Sequence, residues 1–188
     1  MEKKRCSWAE NASDLDVQYH DEEWGVPVHD DQVLFEFIVL EGMQAGLSWS
    51  TILQRRETMR EAFDNYDLQK IINYDQSKID SLLQNPGIIR NKLKVNAVII
   101  NAKLFLDIQK EFGSFDTYLW NFVDNKPVIN HWKSKEDVPV STPLSDAISK
   151  DLKKRGFKFV GTTIMYAYLQ ATGVVNDHQV SCFCYRKD

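Results

Sequence analysis

With 188 residues, 43% of them hydrophobic and 12% aromatic, the chain is long enough to bury a core of its own. A formal net charge of -4 argues mildly against a nucleic-acid ligand, and no run approaches the roughly 18 apolar residues of a membrane span. The opening MEKKRCSWAEN lacks the apolar stretch of a signal peptide, and three cysteines are an odd count for a disulfide framework. A cytoplasmic, monomeric protein with one domain over residues 1–188 is expected.

In chain order, the first helical period runs from Asp30 to about Met43, with Asp30 as N-cap and Leu34, Phe37, Ile38 and Leu40 on one face. Glu41 shares that face. After a connection bearing Gly42 and Gly46, a second helix is expected from Ser48 to about Asp64, carrying Trp49, Ile52, Leu53, Met59 and Phe63 along one stripe. Short helices fit 67–73 and 76–84, then the breaker Asn85-Pro86-Gly87, then a long helix from about Arg90 to Gln109. Further helices fit 115–123, 143–155 and 161–172. Thr142 before Pro143 is a start signal, and Gly156 and Gly173 are stops. The class is all-α, with at most a short extended piece at 157–160.

Two Cys/His pairs stand at opposite ends of the chain. His178 and Cys182 are at i and i+4, which puts imidazole and thiolate on one side of a helical turn, and Cys6 and His20 supply the other pair. Together they make a Cys2His2 set, the closed set that structural zinc prefers, and one ion there would tie down both termini. The plain alternative is four unrelated residues. Cys184, His29 and His131 are left spare.

The turn Asn85-Pro86-Gly87-Ile88-Ile89-Arg90 between two helices has the look of a helix-hairpin-helix element. Such a turn presents backbone N–H groups at a helix start, where the dipole favours a phosphate. Between Ile88 and Leu106 lie Arg90, Lys92, Lys94 and Lys103 and no acid, and Lys150 to Lys158 holds five positive residues against Asp151. This local asymmetry outweighs the net charge. An ordinary helical hairpin with a solvated basic face is the alternative.

Five ordered segments carry a family likeness across nearly the whole chain: YHDEEWGVP at 19–27, LEGMQAGLSW at 40–49, GIIRNKLK at 87–94, LKKRGFKFVGTT at 152–163, and NDH at 176–178 with Cys182. They resemble the signatures of the 3-methyladenine DNA glycosylase I family, in the helix-hairpin-helix superfamily. The resemblance implies an all-helical glycosylase with a structural zinc on Cys6, His20, His178 and Cys182 joining the terminal segments. It implies Glu41 as the base-reading carboxylate, and Tyr19, Trp49, Trp8 and Trp24 as an aromatic pocket. Asp16 stands where the family often has a tyrosine. The partner implied is double-stranded alkylated DNA, gripped through Gly87, Ile88, Arg90 and Lys92, with Gly46 and Leu47 as a wedge that replaces the lost stack. Leu47 is equally readable as a core staple, and Glu41 as a structural acid capping the next helix.

A base alkylated on a ring nitrogen is already a cation, so its leaving needs little acid catalysis. The tasks left to such an enzyme are extruding the nucleotide, binding the damaged base and stabilising an oxocarbenium-like sugar. With a reference pKa near 4.3, Glu41 is expected to be ionised at neutral pH. Asn91 occupies the place where bifunctional relatives carry a catalytic lysine, so a monofunctional hydrolase is implied. Asp107 is the reserve acid. A non-catalytic binder of alkylated DNA and a zinc-dependent hydrolase are the rival readings.

Overall fold

The computed structural model describes residues 3–186. Its first helix, α1 (Asp14–Glu22), is capped by Ser13, whose Oγ accepts the Asp16 N–H at 3.2 Å. This helix escapes a search for apolar period because much of what it buries is polar, Asp16 and His20 among them. The second, α2 (Asp31–Gln44), starts on the Asp30 side chain as expected, and every residue from Leu34 to Met43 is buried. A helix covered on all sides belongs at the centre of a helical fold.

The single helix expected after Ser48 is two, α3 (Trp49–Gln54) and α4 (Arg56–Ala62). Arg55 leaves helical geometry at φ -107°, ψ 3°, and its N–H turns back to the carbonyls of Ile52 and Leu53, a tight closure that ends α3. After α5 (Leu68–Ile71) and α6 (Gln76–Gln84), the hairpin leads into α7 (Lys92–Phe112), which starts on the Asn91 cap two residues later than expected. Helices α8 (Phe115–Trp120), α9 (Pro143–Arg155) and α10 (Thr162–Ala171) complete the set. The Thr142 capping box with Pro143, and the left-handed Gly156, bound α9 as read.

The core runs through α2, α7, α8 and α10, with Phe105 stacked on Phe115 at 4.2 Å between centroids and Trp120 donating to the Val28 carbonyl at 2.9 Å. Residues 157–160 form no strand; with Phe159 at φ 55° they reverse the chain between α9 and α10. Extended pairing occurs instead between β1 (Val128–Ile129) and β2 (Val175–Asn176), two parallel pieces in register Val128 to Val175. This places Asp177 and His178 directly after β2. Among the described residues no helix is long and apolar enough to cross a membrane.

Candidate active site

The termini meet in a buried cluster. Cys6 Sγ lies 3.5 Å from His178 Nδ1, and Cys182 Sγ lies 3.6 Å from both His178 Nδ1 and His20 Nε2. A tetrahedral centre with metal–sulfur bonds of about 2.3 Å and metal–nitrogen bonds of about 2.0–2.1 Å separates sulfur from nitrogen by about 3.6 Å. The four ligand atoms therefore fit one metal ion, and all four residues are buried.

Their outer partners fix the tautomers. His20 Nδ1–H donates to Asp21 at 2.8 Å, and Asp21 is itself clamped bidentately by Arg5, which holds its carboxyl at about 2. His178 Nε2–H donates to the Trp24 carbonyl at 2.9 Å, and the N–H groups of Gln179 and Cys184 point at Cys6 Sγ and Cys182 Sγ at 3.3 and 3.4 Å. The acceptors on the imidazole N–H groups orient the rings and raise the basicity of the opposite nitrogens, while the N–H groups aimed at sulfur favour the thiolate form. Cys184, spare in the sequence, thus contributes through its backbone.

Against this cluster opens a cavity of about 880 Å³, lined among others by Trp8, Asp16, Tyr19, Trp24, Glu41 and Trp49. All six residues read as catalytic or substrate-binding come together there. Tyr19 and Trp49 lie 5.1 Å apart between centroids at 48°, and Trp8 meets Trp24 edge-on at 5.2 Å. The Asp16 carboxylate accepts from Ser13 Oγ at 2.6 Å and from Ser50 Oγ, so it braces α1 against α3. The indole N–H of Trp49 is buried with no protein acceptor among the described residues.

Helix α2 carries two buried glutamates in opposite circumstances. Glu36 accepts from Arg56 Nε at 2.7 Å and from Arg60 at 2.9 Å, so its charge is neutralised. Glu41 is 4% exposed, and burial, with no compensating cation or hydrogen bond among the described residues, pushes its pKa up to about 8. That upward shift runs against the expectation of a carboxylate with an ordinary pKa, and its cause is burial. Nor does it cap the next helix, because Ser48 Oγ accepts the Thr51 N–H at the start of α3.

The residues read as DNA contacts divide. Gly46 adopts φ +80°, which a side chain would strain, and leaves Leu47 41% exposed at the tip of the turn between α2 and α3, so Leu47 is not a core staple. Arg90 and Lys92 are at the surface. Ile88 is buried, only 3% exposed, and Gly87 is half-buried: a Cβ on Gly87 would stand 2.9 Å from Thr58 Cβ, and its N–H is taken by Asn85 Oδ1 at 2.8 Å. Only backbone could reach a ligand there.

Lys94 leaves the basic face altogether. It is buried, and its ammonium donates to the carbonyls of Met43 at 2.8 Å and Ala45 at 2.7 Å. Asp107, the reserve acid, is 65% exposed beside Lys110 and lies outside the cavity. Sequence reading missed Asp177, a buried hub that accepts from Asn130 at 2.7 Å, Trp132 and Gln170 at 2.8 Å, and the Tyr166 hydroxyl. It sits inside the NDH segment, but nothing in that segment marks it as a receiver of four donors.

A pocket of aromatic faces around a buried acid suits a flat, cationic ring, and the comparisons with known proteins set the chain among the base-excising DNA glycosylases. The sequence model described as methyladenine glycosylase matches residues 8–185. The chain belongs to that family and is an enzyme of it. DNA-3-methyladenine glycosylase 1 of Escherichia coli (strain K12) is 46% identical over 182 residues, 97% of each chain. A crystal structure of 3-methyladenine DNA glycosylase I superposes with a TM-score of 0.94 at 49% identity, covering 97% of this chain and 100% of that one. A second, a variant of 3-methyladenine DNA glycosylase I in complex with 3-methyladenine, gives 0.93 at 32% identity, covering 97% and 98%.

Proposed function

We propose that the protein hydrolyses the N-glycosidic bond of 3-methyladenine in double-stranded alkylated DNA, acting on a nucleotide turned out of the duplex into the cavity. The observation that carries this reading is the unpartnered, buried carboxyl of Glu41 among Tyr19, Trp49, Trp8 and Trp24. An unmodified adenine is neutral, so it leaves Glu41 protonated and gains no ion pair. An alkylated, cationic adenine supplies the missing charge: as it enters, Glu41 releases its proton to solvent, and the exocyclic amino edge of the base finds a charged acceptor in a medium of low dielectric. Stacking of the cation on Trp49 contributes about 2 kcal/mol when desolvated.

Because the ring charge is discharged as the bond to the sugar breaks, no general acid is required at the leaving group. The ion pair with Glu41 holds the cationic base until the bond breaks, and a hydrogen bond from its amino edge holds it while water attacks the sugar. Asn91 caps α7 with its side chain and carries no amine, in keeping with simple hydrolysis and no imine. The metal is proposed to be one structural zinc per chain, since two thiolates and two imidazoles fill a tetrahedron and leave no position for a reactive water. Its chemistry would be confined to holding Cys6, His20, His178 and Cys182.

The deciding experiment treats methylated duplex DNA with the protein and identifies the bases released. Free 3-methyladenine in excess over other methylated bases is expected. Tight binding to alkylated DNA with no base released would make the protein a binder and overturn the proposal.

A further inference from the structure

Of the chain's seven arginines, Arg186 is exposed near the C-terminal end with no carboxylate partner among the described residues, and the other six fall into two groups. Arg5, Arg56, Arg60 and Arg155 each hold a carboxylate within 2.9 Å. Arg55 and Arg90 have no carboxylate partner among the described residues, although Arg55 is half-buried and its one side-chain hydrogen bond among those residues is to the Thr51 carbonyl, at 3.5 Å. A half-buried guanidinium without a counter-charge keeps its donors for something outside the chain.

Arg55 and Arg90 line the same groove. It measures about 570 Å³ and is bounded by Leu47, Thr51, Arg55, Leu83, Pro86, Ile88, Ile89 and Arg90. No acid lines it, in a chain whose net charge is -4. Its floor is apolar and its two donors are cationic, which matches a ligand with an apolar body and an anionic edge. The backbone adds to this: the N–H groups of Ile89 and Arg90, beside the groove, make no hydrogen bond among the described residues.

The groove also shares a wall with the cavity. Helix α3 turns Trp49 and Ser50 into the cavity and Thr51 and Arg55 into the groove, with Leu47 at the tip between them. A helix is about 10–12 Å across with its side chains, so a ligand in the groove lies within a few nucleotides of a base in the cavity. From this arrangement we infer that Arg55 and Arg90 form a two-pronged seat for the phosphodiester backbone of the duplex, on the side where Leu47 enters. Arg55, outside the hairpin, is the prong that ties the backbone grip to the helix carrying Trp49. A phosphate takes two N–H groups of a guanidinium in parallel, which favours arginine over a point charge here.

This inference rests on the proposed DNA substrate and deepens it. Its test measures binding of the full chain to a duplex with a tetrahydrofuran abasic analogue, by fluorescence anisotropy between about 50 and 200 mM salt. Each phosphate contact contributes about 0.9 to the slope of log K against log salt. Arg55→Gln and Arg90→Gln should each flatten that slope by about one contact, while the affinity for free 3-methyladenine stays at the wild-type value. Lys126→Gln removes an exposed charge outside the groove and should leave the slope unchanged. An unaltered slope in Arg55→Gln, or an equal loss in Lys126→Gln, would overturn the seat. Base release by the wild type, measured alongside, separates the two ideas: a wild type that releases no 3-methyladenine sinks the proposed function, whereas normal release with an unaltered Arg55→Gln slope sinks only the seat.

Discussion

Glu41 and Glu36 lie on one helix, are buried alike, and differ only in what faces them. Two guanidinium groups answer Glu36, while no charged partner among the described residues answers Glu41. Burial holds the Glu41 pKa at about 8 against an ordinary 4.5, so the folded state binds that proton more tightly than the unfolded chain. The resulting stability is fully present below pH 4.5 and is lost as pH rises toward 8. Glu41→Gln, neutral at every pH, escapes this loss. Its melting temperature should match the wild type near pH 4 and exceed it by a widening margin up to pH 9, worth up to a few kcal/mol. The same variant should excise the cationic base about ten- to a hundredfold more slowly in single-turnover assays, the equivalent of a charge-assisted hydrogen bond of roughly 1.5–3 kcal/mol. Equal pH profiles in the two proteins would show that Glu41 has a partner in solution.

Helices that obey the hydrophobic period were legible in the sequence; those that bury polar groups were not. Helix α2, with its Asp30 cap, and α9, with Thr142 and Gly156, follow the start and stop signals closely. Helix α1 was invisible because Asp16 and His20, the residues it buries, bind Ser13, Ser50 and the cluster at the termini. Lys94 shows the same limit: its charge reads as part of a basic face, yet it is spent on the last carbonyls of α2. There it ties α7 to the turn bearing Gly46 and Leu47. Lys94→Met should lower stability by about 2–3 kcal/mol in urea unfolding, because buried carbonyls lose a charged donor. Excision from DNA should fall further than affinity for the free base, since the loosened turn carries Leu47 and the cavity floor does not. Gly87→Ala tests the hairpin: a methyl 2.9 Å from Thr58 Cβ should cost about 1–3 kcal/mol and weaken DNA binding on every sequence alike. Unchanged stability in that variant would mean α4 and the hairpin are not in contact in solution.

Across the whole molecule, the chain is closed end to end at the wall of its own cavity. Phe183 N–H donates to the Lys4 carbonyl at 2.8 Å, Ser7 N–H to Gln179 at 2.6 Å, and the Cys/His cluster lies between these two bonds. Trp8 follows Cys6 by two residues, and Trp24 is held through its carbonyl by His178, so two aromatic walls hang from the Cys/His cluster. A metal ion here would therefore act on catalysis only by keeping those walls in place. Native mass spectrometry should find one zinc per chain, and Cys6→Ala or Cys182→Ala should abolish it and lower the melting temperature. Structural zinc in small peptides contributes about 10–16 kcal/mol; a domain with a core of this size should lose less and stay folded at low temperature. Acid should release the ion, because thiolates and neutral imidazoles are the binding forms. If the role is structural, chelated protein that remains folded at 10 °C should excise at a rate governed by how well Trp8 and Trp24 keep their places, and restoring zinc should recover melting temperature and rate together. Turnover that stops while the fold, the indole fluorescence and the affinity for 3-methyladenine are all unchanged would instead place the ion in the chemistry.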